Sequence, residues 1–541
     1  MRRFLAVLVL AVPAAAQDVP VYRRHEAMAS DLRAKTAVSV IGKSGEGRDI
    51  LAVTIGGADA DRRPALLVVG GVEGDGIAGS ELAAAIAVEL AGARDERTAK
   101  LLAGYTVYVI PRLNPDGIER FFASPRAANA GTARAWDEDR DGDVDEDGPE
   151  DLDGDGEIVL MRVEDASGEW VADATDAGLM RKPDPLRGER GAWKVFVEGR
   201  DTDGDGAWNE DGPGGIDLNS NFPWNYRMHG PRTGPFMVSE LESRALADFI
   251  AAHPNIEAAF SFASNDNCIH QAAPALPPNP LPDPGSPVMG IDAGDLPYLA
   301  KAAEAYRAKI GGDRRDPSPL REGGVGEWLY FHRGILSLAS PGWSVPWKAG
   351  EAKDLPHEDP KAREERWAHR WLRENRPGEW VEWHAFVNPD FPGKKVEIGG
   401  WKPQARLLPP VGELPVIAAK HGDFLRGLME AFPRVGIRDA AVKKLGDGLY
   451  EVTATVFNDG LLPTALRQGE RTRRARAVRV DLVADGLKVM SGQPVTLIPV
   501  LDARGGSKEL LWVVNGAEGN AIELRVETDR AGTAVWKGVL K

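Results

Sequence analysis

The pattern of hydrophobic and polar positions divides the chain into two parts. Up to Pro433, continuous apolar runs alternate with stretches of helical spacing. Continuous apolar runs are typical of strands in a sheet that helices cover on both faces, because neither face of such a strand meets water. The pattern therefore predicts an α/β fold. The segments that carry this prediction are residues 66–81, 105–110, 255–262 and 296–310.

Past Val435 the pattern changes to short alternating strands separated by turn residues. About a hundred residues of this kind predict an all-β sandwich. Because 541 residues exceed one ordinary domain, we predict an α/β domain over residues 17–435 and a C-terminal sandwich over residues 436–541. A basic run in the sandwich is more typical of a solvated hairpin edge than of a nucleic-acid site. This run contains Arg471, Arg473, Arg474 and Arg476.

The N-terminus has the pattern of a secretory signal. Two arginines precede an apolar run, and Ala14-Ala15-Ala16 stands before Gln17, which predicts a signal peptide over residues 1–16. No later apolar stretch reaches 18 residues, so we expect no membrane span after signal removal. We predict a secreted or periplasmic protein. With Cys268 as its one cysteine, the chain cannot form an intramolecular disulfide, so its core and bound ions would have to stabilise it.

The formal net charge of −16 is concentrated in one segment. Between Asp137 and Glu157 there are 13 acidic residues against one arginine, a net charge of −12, which leaves −4 for the rest of the chain. The acidity therefore describes an insert, residues 136–214, and indicates no nucleic-acid partner.

A motif with aspartates at alternate positions and a glycine at the sixth position occurs three times in this insert. It resembles the first half of an EF-hand calcium loop. The bidentate glutamate expected at the twelfth position is replaced by Gly148, Arg162 and Gly212. We predict structural calcium, and the alternative is a solvated acidic loop. The candidate calcium ligands are Asp137, Asp139, Asp141, Asp143, Asp151, Asp153, Asp155, Asp201, Asp203 and Asp205.

A second candidate site follows the apolar run that begins at Leu66. The run ends in a glycine-rich loop that contains Glu73 and Asp75, before an alanine-rich helical pattern. In open α/β sheets ligands bind at the carboxyl ends of the strands, so we expect a site beside these two acids. A phosphate site is less compatible, because the loop has two carboxylates and no lysine. The acids favour a cation or a polar partner.

Several motifs resemble those of the zinc carboxypeptidases, the carboxypeptidase A-like metallopeptidases. The glycine-rich loop 70–79 corresponds to the family's Gly-Gly-x-His-Gly-x-Glu-x-x-Gly, and residues 215–223 to its Gly-x-Asp-Leu-Asn-Arg-Asn-Phe-Pro. The Gly-Lys-Ser-x-Glu-Gly-Arg turn at residues 42–48 and the Asn-Pro-Asp-Gly turn at residues 114–117 also match. The resemblance spans residues 22–433. It implies a mixed, mostly parallel sheet with helices on both faces, in a divergent member of bacterial type with calcium-loop-like inserts and an added C-terminal β domain.

The resemblance also shows where this sequence departs from the family. The family's three zinc ligands, His, Glu and His, correspond to Glu73, Gly76 and Ala263, and its catalytic Glu falls at Pro341. Of the Asn-Arg pair that binds the substrate carboxylate in the family, Asn219 is kept, whereas the arginine position holds Ser220. A neutral hydroxyl cannot replace a permanently charged, bidentate guanidinium.

These replacements predict a secreted, non-catalytic pseudo-carboxypeptidase. Its crevice would bind a peptide or cell-wall-like ligand near Asn219, Ser220, Glu73 and Asp75, and zinc would be absent although the family uses it. One alternative is an active metallocarboxypeptidase that removes C-terminal residues with displaced zinc ligands. A second alternative is a calcium-stabilised structural or adhesive surface protein. The displaced zinc candidates are Glu73, Asp75, Asp266 and His270.

Overall fold

The computed structural model describes residues 22–136, 144, 150–202, 204, 206, 208, 215–270, 290–312, 319–346, 360–483 and 486–541. The α-helices of these residues are α1 His25–Lys35, α2 Ile77–Gly92, α3 Glu96–Gly104, α4 Pro115–Glu119, α5 Leu241–Ala252, α6 Leu296–Ile310, α7 Val325–Arg333, α8 Pro360–Asn375, α9 Leu414–Glu430 and α10 Arg467–Arg471. No helix of the described residues has the length and apolar character needed to cross a membrane.

The strands fall into a long first group and a second group after residue 434. The first group is β1 Val38–Lys43, β2 Asp49–Ile55, β3 Ala65–Val69, β4 Thr106–Ile110, β5 Leu160–Glu164, β6 Val171–Ala172, β7 Met180–Arg181, β8 Trp193–Val197, β9 Ile256–Phe262, β10 Leu336–Ser340, β11 Trp380–Phe386 and β12 Val396–Trp401. The second group is β13 Val435–Gly446, β14 Leu449–Asn458, β15 Val478–Val483, β16 Lys488–Ser491, β17 Val495–Ile498, β18 Ser507–Asn515, β19 Ala521–Thr528 and β20 Gly532–Val539.

A six-stranded mixed sheet forms the centre of the first part, in the order β1-β2-β4-β3-β9-β10. The pairs β4/β3, β3/β9 and β9/β10 are parallel, whereas β1/β2 and β2/β4 are antiparallel. Every residue of β3, β4, β9 and β10 is buried. Such strands need cover on both faces, which explains their continuous apolar sequences. The predicted α/β fold is confirmed.

Part of the acidic insert belongs to a second, antiparallel sheet, in the order β11-β12-β5-β8. Strand β12 pairs with β5, so residues 396–399 lie against residues 160–163. The sheet has its own small core, which contains Val159, Met161, Val163, Val396 and Ile398. The insert is therefore joined through this sheet to segments that follow β10 in the chain.

The C-terminal residues form two four-stranded antiparallel sheets, β13-β14-β18-β16 and β17-β15-β19-β20. Their buried residues make a hydrophobic cluster distinct from that of the central sheet, with Tyr450 and Trp512 among its largest members. The all-β character predicted after Val435 is confirmed. The domain boundary at residues 435 and 436 stays a prediction.

Candidate functional site

The candidate site lies at the carboxyl ends of β3, β9 and β10. These strands are parallel neighbours, with Val69 opposite Ser261 and Ser340 opposite Phe262. The segments that follow them must therefore meet at one edge of the sheet. The structure places Glu73 after β3, Ala263 directly after β9 and Pro341 directly after β10.

Glu73 is the buried centre of a hydrogen-bond network at this edge. Its Oε1 accepts hydrogen bonds from Asn219 Nδ2 at 2.7 Å, from Ser264 N at 3.0 Å and from Ser264 Oγ at 2.7 Å. Burial raises the pKa of Glu73, and the charge of Asp217 raises it further, while the Ser264 bonds and the charge of Arg321 oppose the shift. Three donors therefore converge on one oxygen of the Glu73 carboxyl group.

The loop around Glu73 requires glycine at two positions. Gly71 has φ +58°, and a Cβ there would lie 2.6 Å from the Ile118 side chain. A Cβ on Gly74 would lie 2.9 Å from the carbonyl oxygen of Asn129 and 3.0 Å from the Cα of Gly117. The positive φ at Gly71 and the backbone contacts at Gly74 both disfavour a side chain, so the loop reaches Glu73 by close backbone packing.

Asn219 connects three segments of the crevice. Its Nδ2 donates to Glu73 and, at 3.2 Å, to Asn265 Oδ1. Its Oδ1 accepts a hydrogen bond from Val325 N at 3.0 Å. The side-chain amide thus bonds three protein partners, and the residue is fully buried. Asn219 therefore positions its neighbours, and its predicted contact with a ligand stays a prediction.

Arg321 brings a positive charge to the position next to Ser220. Its guanidinium forms an ion pair with Asp217 and lies 3.4 Å from Ser220 Oγ and 3.3 Å from Ser264 Oγ. Its Nε donates to the backbone oxygen of Asn219 at 2.8 Å. About a third of the side chain, 31%, stays exposed. A ligand in the crevice could therefore contact this cation.

Asp75 is the second acid of the glycine-rich loop. Burial, together with the nearby charges of Glu73 and Asp217, raises its pKa to about 7. These surroundings therefore favour the neutral form of Asp75. The two acids predicted from the glycine-rich loop therefore do lie in one electrostatic environment.

The remaining displaced zinc candidates, Asp266 and His270, belong to the segment that follows β9. Asp266 accepts hydrogen bonds from Cys268 N, Ile269 N and Ser340 Oγ. With His270 it lines a cavity of about 40 Å³ against the helices α6 and α7. Among the described residues, Glu73, Asp75, Asp266 and His270 do not converge as a group of metal ligands.

One group of three suitable ligand residues does converge in the described part of the chain. Oxygens of Asp151, Asp153 and Glu198 lie within 4.8 Å of one another. Glu198 is buried, which raises its pKa to about 7, and its oxygens accept hydrogen bonds from the backbone N–H groups of Leu152 and Val159. Sequence reasoning identified the two aspartates and missed Glu198, which lies on the segment after β8.

The other candidate calcium ligands are only partly described. Asp155 follows the same turn, and its Oδ1 accepts a hydrogen bond from Glu157 N at 2.8 Å. Asp201 Oδ1 accepts one from Gly204 N at 2.7 Å. The predicted signal peptide lies outside the described residues. So do six of the candidate calcium ligands, Asp137, Asp139, Asp141, Asp143, Asp203 and Asp205.

A comparison with protein families shows to which family the first part of the chain belongs. Residues 21–279 match the family model described as zinc carboxypeptidase. This region is a zinc carboxypeptidase family domain. The matched residues include the Glu73 loop, Asn219 and Ala263. The resemblance to zinc carboxypeptidases that the sequence motifs predicted is confirmed. Residues 434–537 match a domain of unknown function.

Solved structures of similar proteins include several carboxypeptidases. Thrombin activatable fibrinolysis inhibitor is 12% identical, with 75% of this chain and 71% of that chain covered and a TM-score of 0.40. Carboxypeptidase A from Helicoverpa armigera is 15% identical, with coverages of 58% and 60% and a TM-score of 0.34. The murein-tripeptide amidase MpaA from Escherichia coli O157 is 14% identical, with coverages of 59% and 87% and a TM-score of 0.24. The family assignment rests on the family model. No curated protein matches the chain.

Proposed function

We propose that the protein is an exported pseudo-carboxypeptidase whose crevice binds peptide-like ligands without cleaving them. The main support is the chemistry of the residues that occupy the family's three zinc-ligand positions. A catalytic zinc needs three protein ligands and a water, and the three family positions hold Glu73, Gly76 and Ala263. Gly76 and Ala263 offer no side-chain ligand, and Glu73 Oε1 already accepts three hydrogen bonds. These residues do not fit a zinc ion, so we assign no zinc-dependent hydrolysis to the protein.

The ligand chemistry follows from Arg321. A partly exposed guanidinium favours a carboxylate, because it can donate two parallel hydrogen bonds to it. Its position beside Ser220 supplies, from another segment, the charge that the family carries at that position. We infer that the crevice takes the terminal carboxylate of a peptide or of a cell-wall-like peptide stem.

Peptide binding tests this proposal without relying on a variant. An octapeptide with a free C-terminal carboxylate is expected to bind about 10–100-fold more tightly than its C-terminal amide, since hydrogen bonds between charged groups contribute about 1.5–3 kcal/mol. Fluorescence anisotropy measures both Kd values. Equal affinity of the acid and the amide would contradict the proposal.

Variants then locate the contact. In Arg321→Lys the charge stays but the planar fork is lost, so we expect an intermediate Kd, and in Arg321→Ala the preference for the free acid disappears. Arg406→Ala is the matched control, because Arg406 is a half-exposed arginine that pairs with Glu365 on α8. The control should leave both Kd values unchanged.

We further propose that Asp151, Asp153 and Glu198 bind structural calcium. Asp151 Oδ1 accepts hydrogen bonds from Gly154 N at 2.8 Å and Asp155 N at 3.1 Å, and its Oδ2 accepts one from Gly156 N at 2.7 Å. These bonds fold the loop into the compact turn that carboxylate-rich calcium loops require. His384 Nε2 also lies 3.0 Å from Asp153 Oδ2, so a cation there would share this oxygen with an imidazole.

Thermal unfolding in calcium and in chelator tests the calcium site. We expect millimolar calcium to raise the Tm by about 2–4 °C, because an ion bound only by the folded state stabilises it in proportion to the logarithm of its concentration. Glu198→Gln should abolish the rise, while Glu164→Gln, an exposed glutamate on β5, should keep it. The same Tm in calcium and chelator would refute calcium binding.

A further inference from the structure

A loop beside the crevice exposes a concentrated set of large apolar side chains. Between Trp224 and the first turn of α5, Met228 is 63% exposed, Phe236 51%, Met237 47% and Leu241 50%. Isolated exposed apolar residues are ordinary, but several in one short segment indicate an interaction site. The hydrophobic cores assigned to the described residues contain none of these four. We call the four residues the apolar rim.

The backbone of this loop is held in an unfavourable conformation. Asn225, His229, Arg232 and Val238 have φ values of +44°, +59°, +53° and +57°. They are four of the eight non-glycine residues with positive φ in the described chain. For the β-branched Val238 this conformation is a genuine outlier. Strain of this kind persists where surrounding contacts enforce it, and it concentrates at ligand-binding and switch segments.

Asn221 supplies the enforcing contacts. Its Nδ2 donates to the carbonyl oxygens of Thr233 at 2.9 Å and Phe236 at 3.2 Å. Its own carbonyl oxygen accepts a hydrogen bond from Val238 N at 2.7 Å. The strained tip that carries Phe236 is thus fixed to the residue that follows Ser220.

The loop is also tied to the segment of Arg321. Asn225 Nδ2 donates to Glu322 Oε1 at 3.1 Å, and Gly323 N donates to the carbonyl oxygen of Trp224 at 2.8 Å. The start of the loop is therefore bonded to the segment that follows Arg321, and its tip is bonded to Asn221, the residue after Ser220.

We propose that the apolar rim binds apolar side chains of an extended peptide, upstream of the C-terminal residue whose carboxylate contacts Arg321. This inference rests on the proposed function of the crevice. A peptide is favoured over a lipid surface because hydrogen bonds fix the backbone of this loop to Asn221 and Glu322, the neighbours in sequence of Ser220 and Arg321. The protein would then select peptides by two features, a free carboxylate and apolar residues that precede it.

Two fluorescent octapeptides test the inference. Both end in alanine with a free carboxylate and carry the same charge, and the upstream residues are leucines in one and serine and glycine in the other. We expect the leucine peptide to bind the full-length protein about tenfold more tightly. The double variant Phe236→Ser/Met237→Ser should lose this tenfold difference and leave the Kd of the serine-glycine peptide within twofold.

A matched double variant controls for the loss of exposed apolar surface. Met490→Ser/Leu511→Ser removes two side chains that are each 52% exposed on the C-terminal sheets, and both Kd values should stay unchanged. Wild-type-like Tm values would show that the variants are folded. Because the affected side chains are exposed, we expect all variants to meet this condition.

The outcomes separate the inference from the function on which it rests. Carboxylate-dependent binding with equal affinity for the two peptides would overturn the rim and leave the crevice proposal intact. If neither peptide bound, both the rim and the crevice proposals would be overturned. If Phe236→Ser/Met237→Ser lost binding to vesicles of phosphatidylglycerol and phosphatidylcholine but kept its preference for the leucine peptide, the rim would be a lipid contact, and the peptide inference would be wrong.

Discussion

At the scale of single residues, the centre of the candidate site is the carboxyl group of Glu73, which accepts hydrogen bonds from neighbouring residues. Ser264 and Asn219 together supply three donors to one Glu73 oxygen. Buried polar groups are stable only when their hydrogen bonds are satisfied. The network therefore accounts for a buried glutamate in the crevice without any metal.

Glu73→Gln should change how stability depends on pH. Burial raises the folded-state pKa of Glu73 above its unfolded value. The stabilisation from the neutral carboxyl is present below the unfolded pKa and is lost as pH rises through the folded pKa. Glutamine keeps the acceptor oxygen and does not titrate. Urea unfolding at pH 5, 6, 7 and 8 should therefore show the variant gaining stability relative to the wild type as pH rises.

Glu164→Gln is the matched control, because it makes the same substitution at an exposed position on β5. If Glu73→Gln instead lost relative stability as pH rose, the Glu73 carboxylate would be ionised and stabilised by Arg321 and its donors, against our account.

Sequence patterns found some residues of the site and missed others for a physical reason. Glu73 and Asp75 were predictable because they directly follow a buried strand, and strand ends are where ligands bind. Arg321 bonds to Asp217 across 104 positions of the chain, from a segment without a distinctive pattern. Only the folded backbone brings such residues together, so no spacing rule could have found this arginine.

At the scale of elements, the segment after β9 explains why Asp266 and His270 do not reach the crevice. Asn267 Nδ2 donates to the carbonyl oxygen of Ser337, and Asn267 Oδ1 accepts a hydrogen bond from Ala339 N. The side chain thus satisfies backbone groups of β10, the last strand of the sheet, as a neighbouring strand would. These bonds fix the neighbour of Asp266 along the edge of β10, whereas Ser264, at the start of the same segment, contacts Glu73.

The insert shows a second limit of sequence reasoning. Its aspartates predicted ion-binding loops, but the strands β5 and β8 within it were not predicted. Strand β5 pairs with β12, more than 200 positions later, and burial in that sheet depends on partners that a local pattern does not reveal. The continuously apolar strands β3, β4 and β9 of the central sheet carried a clearer signal, and they were predicted correctly.

At the scale of the whole molecule, the C-terminal sheets are closely joined to the first part of the chain. The buried Arg530 guanidinium donates to the carbonyl oxygens of Gly334 at 2.8 Å, Arg333 at 3.0 Å and Pro254 at 3.3 Å. Asp295 accepts hydrogen bonds from the backbone of Arg467 and Gln468. Removal of residues 435–541 would strip these partners from α7, so point variants test the separate roles more cleanly than a truncation.

Arg530→Ala should destabilise the protein by about 3–5 kcal/mol, because three carbonyl oxygens would lose a charged donor. Urea unfolding measures the loss. Arg525→Ala is the control, since Arg525 is exposed on β19 and pairs with Glu523, and its cost should stay below about 1 kcal/mol. Similar costs for the two variants would mean that the Arg530 contacts do not couple the two parts.

The zinc content of the full-length protein, expressed with added zinc and dialysed against a weak chelator, tests the central claim most directly. Elemental analysis should find well under one zinc per chain, and Glu73→Ala should give the same value. One tightly held zinc per chain that disappears in Glu73→Ala, together with release of C-terminal residues from a peptide, would contradict the account.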